Sequence, residues 1–257
     1  MTLYYFSATG NSLTTAKYIA EQLGDCRLVP VASTKDLSKV KEESDCVGFV
    51  FPVYYGNMAY PVRELISKMV FQPDSYIFLF ATYRGHAGKV AQRMDTLLRS
   101  RGQKLSLALG VALPGNSFIN APELDKELLE KQYSHIDEQL SAIKERKCED
   151  YYSDEVLPIT PVGYPNNFRG ITADENCVGC GRCVEVCPMK NIRLQDGKAI
   201  IGDDCSTCLS CFHWCPVEAI WMSIKEPMWE RMKQDISRRS KYHHPQVDIA
   251  DIAAQKA

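Results

Sequence analysis

Eight of the 11 cysteines in this 257-residue chain lie in two short runs between Cys177 and Cys215. The runs read CVGCGRCVEVCP and CSTCLSCFHWCP, and both follow the pattern C-x2-C-x2-C-x3-C-P. Three thiolates in so tight a loop hold one face of a [4Fe-4S] cube, while the fourth cysteine reaches a second cube. The spacing therefore predicts two [4Fe-4S] clusters whose ligands cross between the runs.

The crossed rule assigns four cysteines to each cluster. One set is Cys177, Cys180, Cys183 and Cys215, and the other is Cys205, Cys208, Cys211 and Cys187. The main alternative is zinc, but a zinc site needs only four thiolates around one ion and does not use the third cysteine of each run. His213 lies inside the second run, where we expect a residue beside the cluster or at the surface, because the cysteines already complete both ligand sets.

A second candidate site is the stretch YYFSATGNSL, Tyr4 to Leu13, in which small polar residues separate an apolar run from a helical pattern. Hydroxyl and amide side chains, backbone N–H groups and a helix N-terminus together suit a phosphate. The P-loop and dinucleotide-binding signatures are both missing their glycines, and the P-loop lysine is missing too. The alternative is that Ser12 simply caps its own helix.

Two further loops carry tyrosine and glycine: PVYYGNMAYP at 52–61 and ATYRGHAGK at 81–89. Each follows a predicted strand, and ligands of open α/β sheets bind at the carboxyl ends of strands. Tyr54, Tyr55 and Tyr83 are candidates to stack on a flavin ring, with ordinary packing as the alternative for each.

The elements that must position these loops alternate in type over the first 150 residues. Short apolar runs predict strands at Thr2–Ser7, Arg27–Val31, Cys46–Val53, Tyr76–Thr82 and Leu105–Leu113. Helical spacing predicts helices at Ser12–Leu23, Tyr60–Val70, Gly88–Arg101 and Pro122–Lys147, with a weaker one at Lys35–Val40. Such alternation predicts an α/β fold with a parallel sheet covered by helices on both faces.

The rest of the chain divides into three parts. Residues 151–170 are rich in proline and predict a linker, and residues 171–225 repeat with a period of 28, so that Cys177 corresponds to Cys205. Residues 226–257 form a tail in which Met228, Met232 and Ile236 lie on one helical stripe. The predicted domains are therefore 1–150, a linker at 151–170, 171–225, and the tail.

The motifs carry a family resemblance. Residues 1–150, with SATGNS and the two tyrosine–glycine loops, resemble a flavodoxin, and residues 171–225 resemble a bacterial dicluster ferredoxin. The whole chain is similar to the flavodoxin–ferredoxin fusion proteins of anaerobes, a likeness that extends to LALGVALPGNSFI and to the YHHP tail, Tyr242 to Pro245.

The resemblance implies FMN, electron transfer, and a flavodoxin-like five-stranded sheet in the order 2-1-3-4-5 beside a small α+β dicluster ferredoxin domain. It implies that the FMN phosphate is held by Ser7, Thr9, Gly10, Asn11 and Ser12. It implies that the isoalloxazine ring is flanked by Pro52, Val53, Tyr54, Tyr55, Gly56, Asn57, Thr82, Tyr83, Arg84, Gly85 and His86. Arg84 and His86 stand where simple flavodoxins usually carry acidic residues, and a positive group there stabilises reduced flavin.

Composition excludes several classes of partner. The formal net charge of -2 gives no field that favours nucleic acid or an anionic membrane. The sequence has neither a run of about 18 apolar residues nor a secretion signal. We therefore expect a cytoplasmic protein without a membrane span.

The preferred function is an electron relay between FMN and two [4Fe-4S] clusters, with redox proteins as donor and acceptor. An alternative is a flavin-dependent reductase of a small molecule that the clusters supply with electrons, in which His86 or Arg84 faces the substrate. A third reading is a binding or sensing module with redox-inert clusters. Because no nucleophile–base pair stands out, the cofactors are expected to carry the chemistry.

Overall fold

A parallel five-stranded sheet forms the centre of the first part of the chain in the computed structural model, which describes residues 1–116, 121–155, 171–222 and 241–256. Its strands are β1 (Thr2–Tyr5), β2 (Arg27–Pro30), β4 (Cys46–Pro52), β6 (Tyr76–Tyr83) and β7 (Leu107–Ala112). Their order is β2-β1-β4-β6-β7, which is 2-1-3-4-5 when only these five are counted. The predicted flavodoxin-like sheet order is confirmed.

The two central strands are buried on both faces, which explains their nearly continuous apolar sequences. Phe49 and Phe51 of β4 belong to one buried core, while Phe78 and Phe80 of β6 belong to the core on the opposite face. Alternation of side chains along a strand separates the two cores. The carboxyl ends of β1, β4 and β6 lie at one edge, so the three candidate flavin loops begin there.

Helices cover both faces of the sheet. They are α1 (Asn11–Leu23), α2 (Tyr60–Lys68), α3 (Val90–Arg99), α4 (Pro122–Glu130) and α5 (Gln132–Lys144). The single helix predicted over Pro122–Lys147 is wrong in one respect, since Lys131 divides it into two.

The weak helix predicted over Lys35–Val40 is also wrong. A short 3-10 turn occupies Val31–Thr34, and the strand β3 (Val40–Lys41) pairs with β5 (Met69–Val70). Six residues are too few for a helix to be stable by itself, so pairing with a neighbouring strand prevails.

The cysteine-rich part folds into two similar halves. The elements are β8 (Ile171–Ala173), α6 (Arg182–Val186), β9 (Ile192–Gln195), β10 (Lys198–Ile201), α7 (Ser210–His213) and β11 (Ile220–Met222). β8 pairs with β11 and β9 with β10, both antiparallel. α6 and α7 begin 28 residues apart, in agreement with the sequence repeat.

The described C-terminal segment, residues 241–256, contains α8 (Ile249–Ala253) and a final 3-10 turn, Ala254–Lys256. Asp248 and Asp251 begin α8 with a capping box. The predicted helical stripe of Met228, Met232 and Ile236 lies outside the described residues, as do Ser117–Ile119 and most of the predicted linker.

Candidate cofactor sites

The eight motif cysteines line two small cavities in the crossed grouping. One cavity is lined by what we call the inner set, Cys187, Cys205, Cys208 and Cys211. The other is lined by the outer set, Cys177, Cys180, Cys183 and Cys215. Each cavity therefore takes three thiols from one motif and the fourth from the other.

The thiols of both sets suit a cationic metal group. Burial raises the pKa of Cys183 to about 11 and the pKa of Cys208 to about 12. Such thiols are neutral at pH 7, and a bound cation is what converts a buried thiol into a thiolate ligand. Among the described residues no three such side chains are arranged to hold one metal ion, so the cysteines do not form a tetrahedral zinc site.

Backbone N–H groups point at four of the sulfurs. In the inner set, Asn191 N–H donates to Cys187 Sγ and Thr207 N–H to Cys205 Sγ, both at 3.4 Å. In the outer set, Ala199 N–H donates to Cys177 Sγ at 3.4 Å and Ala219 N–H to Cys215 Sγ at 3.3 Å. Hydrogen bonds to sulfur stabilise the charged form and help to set the potential of an iron–sulfur cluster.

Residues with a left-handed backbone conformation make the two cysteine loops tight, which lets backbone N–H groups approach the sulfurs. Gly179 and Gly181 adopt positive φ angles in the first motif, and Thr207 and Leu209 do so at the corresponding positions of the second. A Cβ on Gly179 would overlap the Gly197 carbonyl, so glycine is required there by space as well as by conformation.

The second motif lies directly on the candidate phosphate loop, residues 7–12. The Ala8 carbonyl accepts two hydrogen bonds, from Ser210 Oγ at 3.1 Å and from Trp214 Nε1 at 3.0 Å. Cys208 belongs to the same buried cluster as Ala8 and Tyr54. The inner cysteine set is therefore built into the edge of the sheet at which the candidate flavin loops begin.

Asn116 connects the second motif to a predicted ring-flanking loop. Its Nδ2 donates to the Tyr54 hydroxyl at 3.1 Å and to the Cys208 carbonyl at 2.8 Å. Sequence reasoning missed this residue, although it follows β7 at the same edge of the sheet. The positional rule that found the other loops applies to it equally.

His213 is fully buried, at 0% exposure, so of its two expected positions the one at the surface is excluded. Its Nδ1 accepts from the Tyr242 N–H at 3.1 Å, and its Nε2–H donates to the Asn116 carbonyl at 3.0 Å. These partners require the neutral Nε2–H tautomer. His213 joins the second motif to two neighbouring segments and does not line either cysteine cavity.

The phosphate loop is buried and ends at an uncapped helix. Gly10, not Ser12, is the N-cap of α1, and it gives no side-chain hydrogen bond, so the alternative of a Ser12 cap is wrong. The first N–H groups of any helix lack intrahelical partners, and a buried end without a cap calls for another acceptor. A phosphate meets that need, and Ser7, Thr9 and Ser12 bring hydroxyls to the same loop.

Several loop side chains are held in place by protein groups. Ser12 Oγ and Thr82 Oγ1 are hydrogen-bonded at 2.8 Å, which joins the phosphate loop to the second ring-flanking loop. Asn11 Nδ2 donates to the Pro114 carbonyl at 2.7 Å.

The first ring-flanking loop, residues 52–57, is a tight turn. Tyr54 and Asn57 exchange two backbone hydrogen bonds of 3.0 Å around Tyr55 and Gly56, which both have positive φ angles. This is the geometry of a type I′ turn. Tyr55 stands at its tip and is 64% exposed, whereas Tyr54 is buried.

The second ring-flanking loop, residues 82–86, carries the expected positive groups in different settings. Arg84 forms an ion pair of 2.8 Å with Asp125 of α4, so its charge is locally balanced. His86 is exposed, and Gly85 between them has a φ of 85°. The structure therefore brings the phosphate loop and both ring-flanking loops to one edge, but it does not leave Arg84 as an isolated cation.

Among the residues that the structure describes, no helix combines the length and the apolar character needed to cross a membrane.

Comparison with known proteins identifies the cysteine-rich part. Residues 176–219 match the family described as "4Fe-4S dicluster domain". The ferredoxin of Methanothermococcus thermolithotrophicus is 38% identical over 61 residues, which are 22% of this chain and 98% of that protein. An uncharacterized ferredoxin of Methanocaldococcus jannaschii is 36% identical over 58 residues, 21% of this chain and 75% of that protein.

Solved structures resemble the first part of the chain only distantly. A flavodoxin of Streptococcus pneumonia TIGR4 is 17% identical, covers 55% of this chain and 97% of its own, and gives a TM-score of 0.35. An azoreductase of Bacillus anthracis is 12% identical. The match covers 56% of this chain and 99% of the azoreductase, with a TM-score of 0.38.

Proposed function

The chain belongs to the 4Fe-4S dicluster ferredoxin family through residues 176–219, and from this premise we propose that it relays electrons between FMN and two [4Fe-4S] clusters. When bound, FMN exchanges one or two electrons and each cluster exchanges one, so the protein would join two-electron to one-electron partners. The proposed partners are redox proteins that act as donor and acceptor.

The proposed cluster ligands are the inner and the outer cysteine sets. Their support is the crossed grouping around two cavities, together with the four N–H···S hydrogen bonds. The proposed FMN ligands are the residues of the phosphate loop and the two ring-flanking loops. Their support is the buried, uncapped N-terminus of α1 and the position of all three loops at one edge of the sheet.

The single observation that carries the relay is the double hydrogen bond to the Ala8 carbonyl. Ser210 and Trp214 stand on either side of Cys211, and both bind the phosphate loop through Ala8. Asn116 makes a second connection, between Tyr54 and Cys208. The inner set is thus the one next to the flavin loops, and the outer set is the one available to an external partner.

We also propose the division of the chain. A flavodoxin-like unit spans 1–150, a linker spans 151–170, the two-cluster unit spans 171–225, and a tail spans 226–257. The separate sheets of the first and third parts support it.

An anaerobic dithionite titration of the reconstituted protein tests the relay. Absorption follows the flavin, electron paramagnetic resonance (EPR) follows the clusters, and iron, sulfide and flavin contents give the stoichiometry. We expect one flavin and two clusters per chain, all of which become reduced. A flavin or a cluster that stays oxidised throughout the titration would contradict the proposed relay.

A flavin-dependent reductase is the second candidate, favoured by the exposure of Tyr55 and His86 in the two ring-flanking loops. Exposed groups on that side leave room for a small substrate. With the flavin reduced directly by dithionite instead of through the clusters, turnover of candidate acceptors that is lost in His86→Ala but kept in Cys180→Ser would support the reductase over the relay.

A further inference from the structure

The C-terminal segment, residues 241–256, lies against the phosphate loop and forms hydrogen bonds to every second residue of that loop, namely Ser7, Thr9 and Asn11. Tyr242 donates through its hydroxyl to Asn11 Oδ1 at 2.5 Å, and the His244 N–H donates to the Thr9 carbonyl at 2.7 Å. Gln255 reaches Ser7 from the far end of the segment. Three residues from a segment more than 230 positions away in sequence thus hold one six-residue loop.

Gln255 forms the most specific of these contacts. Its Oε1 accepts from the Ser7 N–H at 3.0 Å and its Nε2 donates to the Ser7 carbonyl at 2.9 Å. The side chain is 2% exposed, so the pair of hydrogen bonds is shielded from water. Because both hydrogen bonds go to the backbone of Ser7, the buried amide fixes the orientation of that residue.

The segment also fits the backbone of the loop closely. Gly10 has a φ of 105°, and a Cβ placed on it would lie 2.8 Å from His244 Cβ and 2.9 Å from Val247 Cβ. The segment therefore covers the side of the loop at which Gly10 has no side chain. His244 is held there by its own hydrogen bond, from Nε2–H to Gln132 Oε1 at 2.8 Å.

Both ends of the segment are anchored on the cluster-binding unit. The His243 ring stacks on Trp214 with centroids 3.8 Å apart and an angle of 17°, and its Nε2–H donates to the His213 carbonyl at 2.6 Å. At the other end, Lys256 donates to the Val184 carbonyl of α6 at 2.8 Å. The segment is thus a strap from one cysteine motif to the other that crosses the phosphate loop.

We propose that this strap is a structural part of the flavin phosphate site. A loop of glycine, serine, threonine and asparagine loses much conformational freedom when it is ordered. The strap orders the loop in advance, so that its N–H groups and hydroxyls are already aimed when a phosphate arrives, which lowers the entropic cost of binding. The inference deepens the proposed function, since it rests on FMN as the ligand of this loop.

Two glutamines of the strap provide a matched test. Gln255 holds Ser7, whereas Gln246 is exposed and accepts from Tyr133, away from the loop. The reconstituted full chain is compared as wild type, Gln255→Ala and Gln246→Ala. Fluorescence quenching gives the dissociation constants of FMN and of riboflavin, which lacks the phosphate, and hydrogen exchange of residues 7–12 is measured without flavin.

For Gln255→Ala we expect at least tenfold weaker binding of FMN, riboflavin binding within twofold of wild type, and faster exchange of the loop. Gln246→Ala should match wild type in all three. Equal FMN affinity in both variants would overturn the inference, and so would an equal loss of FMN and riboflavin in Gln255→Ala. Wild-type protein that binds no flavin would instead overturn the proposed function.

Iron content and the EPR spectrum of each variant show whether the protein is folded. If Gln255→Ala does not fold, Tyr242→Phe removes only the hydroxyl bonded to Asn11 and keeps the ring. It should weaken FMN binding by a smaller factor and leave riboflavin binding unchanged. Unaltered FMN affinity in Tyr242→Phe would then count against the strap.

Discussion

The inner and outer cysteine sets come from one repeated motif but have different surroundings. Cys208 of the inner set packs in the same buried cluster as Ala8 and Tyr54, while Cys180 of the outer set is exposed. Corresponding positions of the repeat differ in the same way, since Val178 is 65% exposed and Ser206 is 3% exposed. The repeat sets the spacing of the cysteines, and the neighbouring elements decide which set faces the candidate flavin loops.

The crossed pairing of the sets gives the largest expected effect. Cys187→Ser should abolish the cluster of Cys205, Cys208 and Cys211 and leave the outer one intact, because Cys187 lines the inner cavity. Cys215→Ser should do the reverse. Iron content should fall by half in each variant, and EPR should show which cluster persists. Loss of the cluster of its own motif in either variant would contradict the grouping.

Acid should weaken the docking of the strap on the phosphate loop, because His244 of the strap becomes protonated when the strap is undocked. Burial lowers the pKa of His244 to about 4 from 6.5. The undocked strap binds a proton as pH falls below 6.5 while the docked strap resists it, so docking is strongest above that pH and weakens toward pH 4. At pH 5.5 the docking free energy of the strap falls by about 1.4 kcal/mol, which sets an upper limit of about tenfold on the loss of FMN affinity.

The FMN phosphate titrates in the same range, so His244→Gln sets the baseline for this measurement. FMN dissociation constants are determined for both proteins at pH 7.5 and pH 5.5. Wild type should lose more affinity than the variant over this interval, by up to about tenfold. If both proteins lose the same FMN affinity between pH 7.5 and pH 5.5, the pH dependence comes from the FMN phosphate and not from His244.

Trp214→Phe tests the contact between the inner set and the phosphate loop. The change keeps a ring against His243 but removes the Nε1–H that donates to the Ala8 carbonyl. Loss of one buried hydrogen bond costs about 1 kcal/mol, so FMN affinity should fall about fivefold with both clusters retained.

Trp221→Phe is the matched control for that variant. Trp221 Nε1 donates to Asp174, between β11 and β8, and does not reach the loop. Its FMN affinity should equal that of wild type. An equal loss in the two tryptophan variants would mean that the loop does not depend on Trp214.

The smallest effect is expected at the exposed edge of the outer set. Val178→Ser changes a residue that is 65% exposed, so the free energy of unfolding should change by less than about 0.5 kcal/mol. At the corresponding inner position, Ser206→Val adds bulk to a buried site and should cost about 1–3 kcal/mol. Denaturant unfolding of both variants checks the difference, and equal costs would remove the distinction between the sets.

Most of the sheet could be predicted from the sequence, because strands such as Cys46–Pro52 are short, apolar and followed by helical patterns. The crossed assignment of the cluster ligands stays a prediction from the spacing, and the linings of the two cavities agree with it. The short strand at Val40–Lys41 was not, because its pairing with Met69–Val70 depends on a contact distant in sequence.

The asymmetry between the two sets could not be predicted. The repeat looks equivalent in both halves, and the group that distinguishes them, the Ala8 carbonyl, belongs to the backbone and has no signature in the sequence. The burial of His213 and the strap over Gly10 depend likewise on how distant segments pack. The sequence motifs thus indicated the candidate cofactor loops, and the packing of distant segments determined which cysteine set lies beside them.

FMN titration of the two single-cluster variants tests most directly whether the inner set adjoins the flavin. The EPR spectrum of reduced Cys215→Ser, which keeps the inner cluster alone, is recorded with and without FMN, and so is that of Cys187→Ser, which keeps the outer cluster alone. We predict that FMN alters the signal of the inner cluster and leaves that of the outer cluster unchanged. A change confined to the outer cluster, or none in either variant, would contradict the proposed order.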